Sequence, residues 1–310
     1  MDEQSMQNEP TSENATAQAS ATPSGKNKKG VLFRVLAVLL CVVLVLLAAA
    51  ELMTVVSDKT YHPWSPDYEK VDLTEILDRS DALTEEDYGV LYRQTGLTKI
   101  GVDRLIEQND TDRIYRIQEA YFQPKDVVLD RFAPWTCSEM LGNGKQSIQG
   151  AVRTGDIIVT ASTHVLCFRY GHAALVVNDR GTILESTSPG ALSDFYGRNV
   201  SLSFDRYASF MILRPDPEII STETRLAVGK FAREELTGIP YAFTVGIFSK
   251  KNPETLKYTQ CAHIVWYAYK HFGIDLDSNG GGVVKPRDIV NSPYMQVVQI
   301  YGFNPDTLWQ

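Results

Sequence analysis

Apolar residues change their spacing repeatedly along the chain, and each change marks an element. Residues 1–30 are rich in Ser, Thr, Asn, Gln, Ala and Glu and hold no aromatic residue. Such a segment cannot bury enough apolar surface to offset its ordering entropy, which predicts a disordered tail. The next run, "VLFRVLAVLLCVVLVLLAAA", extends 20 residues from Val31 to Ala50 and is uncharged from Val35 onward. At ~1.5 Å per residue it crosses a hydrocarbon core of about 30 Å, with Arg34 snorkelling to the interface. It is apolar on every side, so it does not read as the half-buried helix of a soluble domain. A membrane anchor over 31–55 is expected. Ala48-Ala49-Ala50 also fits a signal-peptide cleavage site, but the long leader and long apolar run favour an uncleaved anchor. Leu40 before Cys41 argues against a lipoprotein.

Residues 56–83, "YHPWSPDYEKVDLTEILDRSDAL" among them, read as a linker. From Thr84 the spacing turns helical, with a capping threonine, acids in the first turn, and apolar residues at Val90, Leu91, Val102, Leu105, Ile106, Ile114, Ile117, Ala120 and Tyr121. A helical segment over 84–149 is predicted, packed on the domain C-terminal to it or covering that domain as a lid. Past residue 150 the pattern shortens. "GDIIVTAS", "VLCFRY", "GHAALVVND", "GTILESTS" and "YASFMILRP" are runs of β-branched, aliphatic and aromatic residues broken by turn signals, with "NDRG" as a hairpin turn. They predict a mostly antiparallel sheet. After Pro215, "STETRLAVGKFAREELTG" is helical, with Leu226, Ala227, Phe231 and Leu236 on one face. Helices and strands in separate blocks predict an α+β fold over 150–310.

Charge narrows the function. The net charge is −8, with no basic patch beyond a short lysine run near the N-terminus, which argues against nucleic-acid binding. Lys26, Lys28 and Lys29 precede the apolar run, and Glu51, Asp58 and Lys59 follow it. The positive-inside rule then places the N-terminus in the cytosol and the body outside the cell. Cys41, Cys137, Cys167 and Cys261 show no CxxC spacing, so a cysteine zinc site is not expected, nor any other metal or cofactor. Cys137 and Cys167 either pair as a disulfide outside the cell or remain buried free thiols.

The stretch "YTQCAHIVWYAYKHFGIDL" places Cys261 at the start of a helix, and Ile264, Val265, Ala268 and Phe272 share its face. A helix N-terminus favours a thiolate. A cysteine nucleophile also needs a base, and histidine fits. His62 lies in the linker and His271 far along the helix, facing solvent. His263 points away from Cys261, because two residues turn a helix by about 200°. His164 lies between two strands, as a surface residue. His172 follows Gly171 at the start of a buried strand, and Glu185 ends its hairpin partner, where it can orient the imidazole. A structural cysteine, a structural histidine and a solvated glutamate fit the same pattern, so spacing leaves both readings open.

These segments in this order resemble the circularly permuted members of the NlpC/P60 papain-like superfamily, the YaeF/YiiX-like amidases. "GDIIVT", "GHAALVV" and "ILES" precede the cysteine helix, "GIPYAF" resembles the family's Gly-x-Pro-Tyr loop, and "GGGVVKPRDIVNSP" its closing Pro-x-Asp-Ile element. The likeness covers residues 150 to 295. It implies a papain-like sheet on a cysteine-bearing helix, Cys261 as nucleophile, His172 as base, Glu185 as third polar residue and Tyr241 lining the substrate pocket. Ala262-His263 replaces the Ser-Glu that often follows the cysteine. The implied activity is a membrane-anchored extracellular cysteine hydrolase, a thiol amidase or peptidase acting on a peptide or acyl-amide, cell-wall derived by family analogy. Two rivals share the fold: a lipid acyltransferase or esterase, and a non-catalytic binding module.

Overall fold

The computed structural model describes residues 28–133, 136–142, 146–165, 167–196 and 204–309. The expected disordered tail, 1–30, lies almost wholly outside them. The chain divides into two units at Ala49 and Ala50. Helix α1 (Lys28–Thr60) starts in the first, where its apolar side chains are exposed, and is long and apolar enough to cross a membrane, as an anchor or as a signal sequence.

The second unit is α+β. Residues 56–83 are not a free linker. Trp64 donates its backbone N–H to Gly302, Leu73 is fully buried, and a short helix α2 (Thr74–Leu77) adds Leu77 to the interior. Helices α3 (Glu85–Thr95), α4 (Lys99–Glu107) and α5 (Thr111–Phe122) come next, closing their own core with Leu73, Leu91, Val102, Leu105 and Ile114. Thr84 caps α3 in a reciprocal box with Asp87. The helical span then ends earlier than expected. Strands β1 (Val127–Ala133) and β2 (Thr136–Leu141) occupy part of the stretch assigned to helix, and "VVLD" carries the β-branched residues that favour them.

The remaining elements are β3 (Ile157–Thr160), β4 (Thr163–Val165), β5 (His172–Val176), β6 (Ile183–Glu185), β7 (Asp194–Tyr196), β8 (Phe210–Pro215), α6 (Thr222–Glu235), α7 (Cys261–Lys270), α8 (Pro286–Val290) and β9 (Met295–Tyr301). Two antiparallel sheets result: one of six strands in the order β7-β6-β5-β3-β8-β9, and one of three, β1-β2-β4.

The six-stranded sheet is buried on both faces. One face, through Ala173, Leu175 and Leu184, packs on α7 at Ile264, Val265 and Ala268. The other, through Ala174, Val176, Ile183 and Phe210, packs on Phe204 and Tyr121. Helix α7 is not amphipathic as expected: every residue from Cys261 to Tyr269 is buried. Helix α6 also departs from expectation. Its buried face is Val228, Gly229 and Ala232, while Leu226 is exposed. A Cβ on Gly229 would come within 2.3 Å of Thr154, so the small residue permits the close approach that turns this face inward.

A buried charge pair spans this frame. Arg214 on β8 grips Asp156 with two hydrogen bonds, Nε to Oδ1 at 3.0 Å and Nη2 to Oδ2 at 2.7 Å.

Candidate active site

Cys261 stands at the first position of α7, and Gln260 caps the helix by accepting the Ala262 N–H through its side-chain oxygen at 3.1 Å. The same oxygen lies 3.3 Å from the Cys261 thiol, and the Gln260 amide donates to the Val284 carbonyl at 2.7 Å. One glutamine therefore pins the thiol, the helix start and the 284 loop. The capping role was not legible in the sequence, because glutamine is not among the favoured N-caps.

His172 opens β5. Gly171 before it has φ +75°, and a Cβ there would fall 2.3 Å from the Thr160 carbonyl oxygen. Only glycine turns the chain at this point, and the turn delivers the imidazole to the sheet rim. Leu175 pairs with Leu184 and Val176 with Ile183, which sets Glu185 opposite Ala174 and diagonal to His172. The long glutamate reaches across, and its Oε2 lies 2.6 Å from His172 Nε2. Phe204 stacks on the ring at 5.8 Å between centroids and 16° between planes.

The ring also shares a hydrogen bond with Cys261. Burial opposes charge on the ring, but the bonds to Cys261 and Glu185 outweigh it and hold the imidazole well above its ordinary pKa. Cys261, His172 and Glu185 are 8%, 5% and 3% exposed, so the three form one desolvated array.

The thiol and ring border a cavity of about 420 Å³, walled by Tyr241, Phe243, Ile247, Val283, Val284 and Pro286. That volume suits a small-molecule substrate. Tyr241 lines it as the sequence led one to expect, its phenol pushed up by burial and by the neighbouring Cys261. Phe243 and Ile247 remain exposed at its edge. A larger hollow of about 760 Å³, edged by Arg113, Arg116 and Arg180, is lined by none of these three residues.

The other histidines take separate places. His263 is buried, bonded to Thr259 through Nδ1 at 3.0 Å and to the Lys251 carbonyl through Nε2 at 2.7 Å, and burial pushes it down to about 4. His271 is exposed and stacks on Phe231, and His62 is exposed. His164 is not a surface residue. It is fully buried, with Nε2 at 2.9 Å from Asp58 and 3.5 Å from Glu139. The expectation failed because β4 is covered by β2 from outside the segment that suggested it.

Asp58, Glu139 and His164 bring ligand-type atoms within 4.8 Å of one another. Arg131 already bonds Asp58 at 3.0 Å, and Arg169 bonds Glu139. A divalent cation would meet two guanidiniums there, so the arrangement suits an ion-pair network better than a metal site. Cys41, Cys137, Cys167 and Cys261 are all free thiols.

Comparison of the chain with family models, curated proteins and solved structures finds no match to any of them.

Proposed function

We propose that this chain is a cysteine hydrolase that cleaves an amide through Cys261, His172 and Glu185. The observation that carries the reading is one buried array in which a helix-start thiol and a carboxylate bond the same imidazole, at the wall of a cavity. The order of sheet, histidine strand and cysteine helix supports a permuted papain-like fold of the NlpC/P60 kind.

The mechanism rests on the chemistry of these groups. The ring takes the thiol proton, giving a thiolate and an imidazolium that Glu185 stabilises. The sulfur attacks the amide carbonyl, and the Cys261 backbone N–H at the helix start stabilises the oxyanion. The carbon–nitrogen bond then breaks, His172 gives its proton to the leaving amine, and a thioester remains. Water attacks the thioester with His172 as base, releasing the acid and restoring the thiol.

The cavity's apolar walls favour a substrate with an apolar acyl part over a polar cell-wall peptide. They equally serve an acyltransferase or esterase, in which an acceptor other than water takes the acyl group. The anchor reading of α1, with the N-terminus in the cytosol and the body outside, supports a substrate met at the outer membrane surface.

The test is active-site labelling of the full chain in lipid nanodiscs with iodoacetamide across pH, the adduct located by mass spectrometry. Labelling at Cys261 that stays fast below pH 7 and becomes slow in His172→Ala is expected. An ordinary thiol profile at Cys261, indifferent to His172, would favour the non-catalytic binding module instead.

A further inference from the structure

His172 borders two cavities. Besides the apolar one it shares with Cys261, it lines a second of about 280 Å³, and Thr163 and Thr187 line both, so the two meet at the imidazole. The second chamber has a different chemistry. It is lined by five hydroxyl-bearing residues, Ser138, Thr163, Thr187, Ser188 and Tyr207, with Met140 as an apolar side and Asp130 exposed at its margin. Ser138 and Thr163 are bonded to each other at 3.0 Å, and Tyr207 bonds both hydroxyls.

The fold explains the pairing. The sheet rim separates a face covered by α7, where the thiol sits, from a face covered by Phe204 and the smaller sheet. His172 stands at the rim and lines both chambers. Ser138 comes from β2, Thr163 from β4, and Thr187, Ser188 and Tyr207 from loops, while Asp130 pairs with Ser138 in register across β1 and β2. Of the lining, Asp130, Ser138 and Met140 come from β1 and β2, outside residues 150 to 295.

From this placement we infer that the hydroxyl-lined chamber binds the amine half of the scissile amide, and that this half is a hydroxylated amine, while the acyl half fills the apolar cavity. The inference rests on the thiol-hydrolase reading for its assignment of halves. The general acid must reach the leaving nitrogen, so the leaving group departs on the imidazole side of the thiol. The chamber there offers hydroxyls, which donate and accept, and a carboxylate at its mouth, which favours an ammonium product. In an acyl transfer the same chamber would admit the acceptor amine or alcohol.

The test compares two ligands of one skeleton, N-hexanoylserinol and N-hexanoylisopropylamine, which differ by two hydroxyls. Binding to the full-length Cys261→Ala chain in nanodiscs is measured by calorimetry, so no turnover is needed. The serinol amide is expected to bind at least about 10-fold more tightly, because its two hydroxyls can join the hydroxyls of this lining and the isopropyl amide has nothing to offer them. Tyr207→Phe and Ser188→Ala, each added to Cys261→Ala, should each shrink that ratio. Ser188 is a half-buried loop residue, so its variant guards against a folding defect in the other. Equal binding of the two amides, no binding of either, or a ratio unmoved by both variants overturns the inference. The iodoacetamide profile of the unmodified chain separates the two readings. Fast, His172-dependent labelling without a serinol preference sinks the chamber alone. A serinol preference beside an ordinary thiol profile keeps the chamber as a binding site and sinks the hydrolase.

Discussion

Two histidines line the same cavity, His172 and His164, and each meets a buried carboxylate at hydrogen-bond distance. Their surroundings part them. Around His172 the only described charged side chain bonded to the ring is Glu185, and the other ring partner is a thiol. A proton on that imidazole is compensated by Glu185 and, once Cys261 ionises, by the sulfur. Around His164 the two carboxylates are matched by two arginines, Arg131 on Asp58 and Arg169 on Glu139. Each carboxylate there already faces a guanidinium. The comparison teaches that a buried histidine–carboxylate contact is no catalytic signature by itself. A nucleophile within reach, and an unbalanced need for the imidazolium, make the difference. The His164 group has a structural role instead: Asp58 and Ser57 end α1, Tyr61 lies just beyond it, and Arg169 stands 3.7 Å over the Tyr61 ring. It fastens that segment to the smaller sheet.

The largest effect should come from exchanging the two histidines' fates. His172→Ala is expected to slow Cys261 alkylation at pH 6.5, and turnover of any amide substrate, by roughly 10³-fold or more, since it removes both base and acid. His164→Ala should leave the labelling profile in place. It should instead cost about 1–3 kcal/mol in urea unfolding of the chain, because Asp58 and Glu139 lose a buried hydrogen-bonding neighbour. If His164→Ala abolished fast labelling as fully as His172→Ala, the distinction between the clusters would collapse.

How much of this was legible in the sequence depends on the range of the interactions. Cys261 at a helix start, His172 after its glycine, and Glu185 on the hairpin partner were readable, because each rests on local periodicity or a short turn. The structure brings those three together, with Tyr241 on the cavity wall. His164 was misread as a surface residue because its burial depends on β2, where Cys137 lies opposite it in register, and on Asp58, far away in the chain. The 56–83 stretch looked like a linker because its anchors, Trp64 and Leu73, are isolated apolar residues whose partners lie elsewhere. Helix α7 looked amphipathic because its tyrosines and His263 count as polar in sequence, yet they bury their rings and bond backbone carbonyls, as Tyr267 does with Pro253. The Phe204 stack and the hydroxyl chamber have no sequence signal at all, since they join loops and strands from four separate segments.

The two carboxylates should then respond differently to pH. Burial holds Glu139 up at about 7 despite Arg169 beside it, against an ordinary value near 4.5. A folded pKa above the unfolded one means that the folded state favours the protonated acid. That contribution is fully present below about pH 4.5 and is lost as pH rises through 7. Relative to Glu139→Gln, the unmodified chain should therefore lose up to about 3 kcal/mol of stability over that window. Urea midpoints of both chains at several pH values measure the slope, and parallel slopes would place the charge imbalance somewhere other than Glu139. The labelling profile of Cys261 should be the same in both chains.

Glu185→Gln should do the converse, with the smallest effect of the set. The glutamine oxygen can still accept from His172 Nε2, so ring orientation survives and only the carboxylate charge is lost. That charge helps to hold the imidazole well above its ordinary pKa. Without it the ring should lose its proton at lower pH. Catalysis needs the imidazolium as acid for the leaving amine, so the alkaline limb of kcat should move toward acid, with a fall in kcat of about 10- to 100-fold at neutral pH. Stability should lose part of the contribution that the raised ring pKa supplies below its own titration, a loss that shrinks as pH rises. A limb that stayed in place would mean that the charge of Glu185 is already cancelled within the protein, and the two clusters would then differ by the thiol alone.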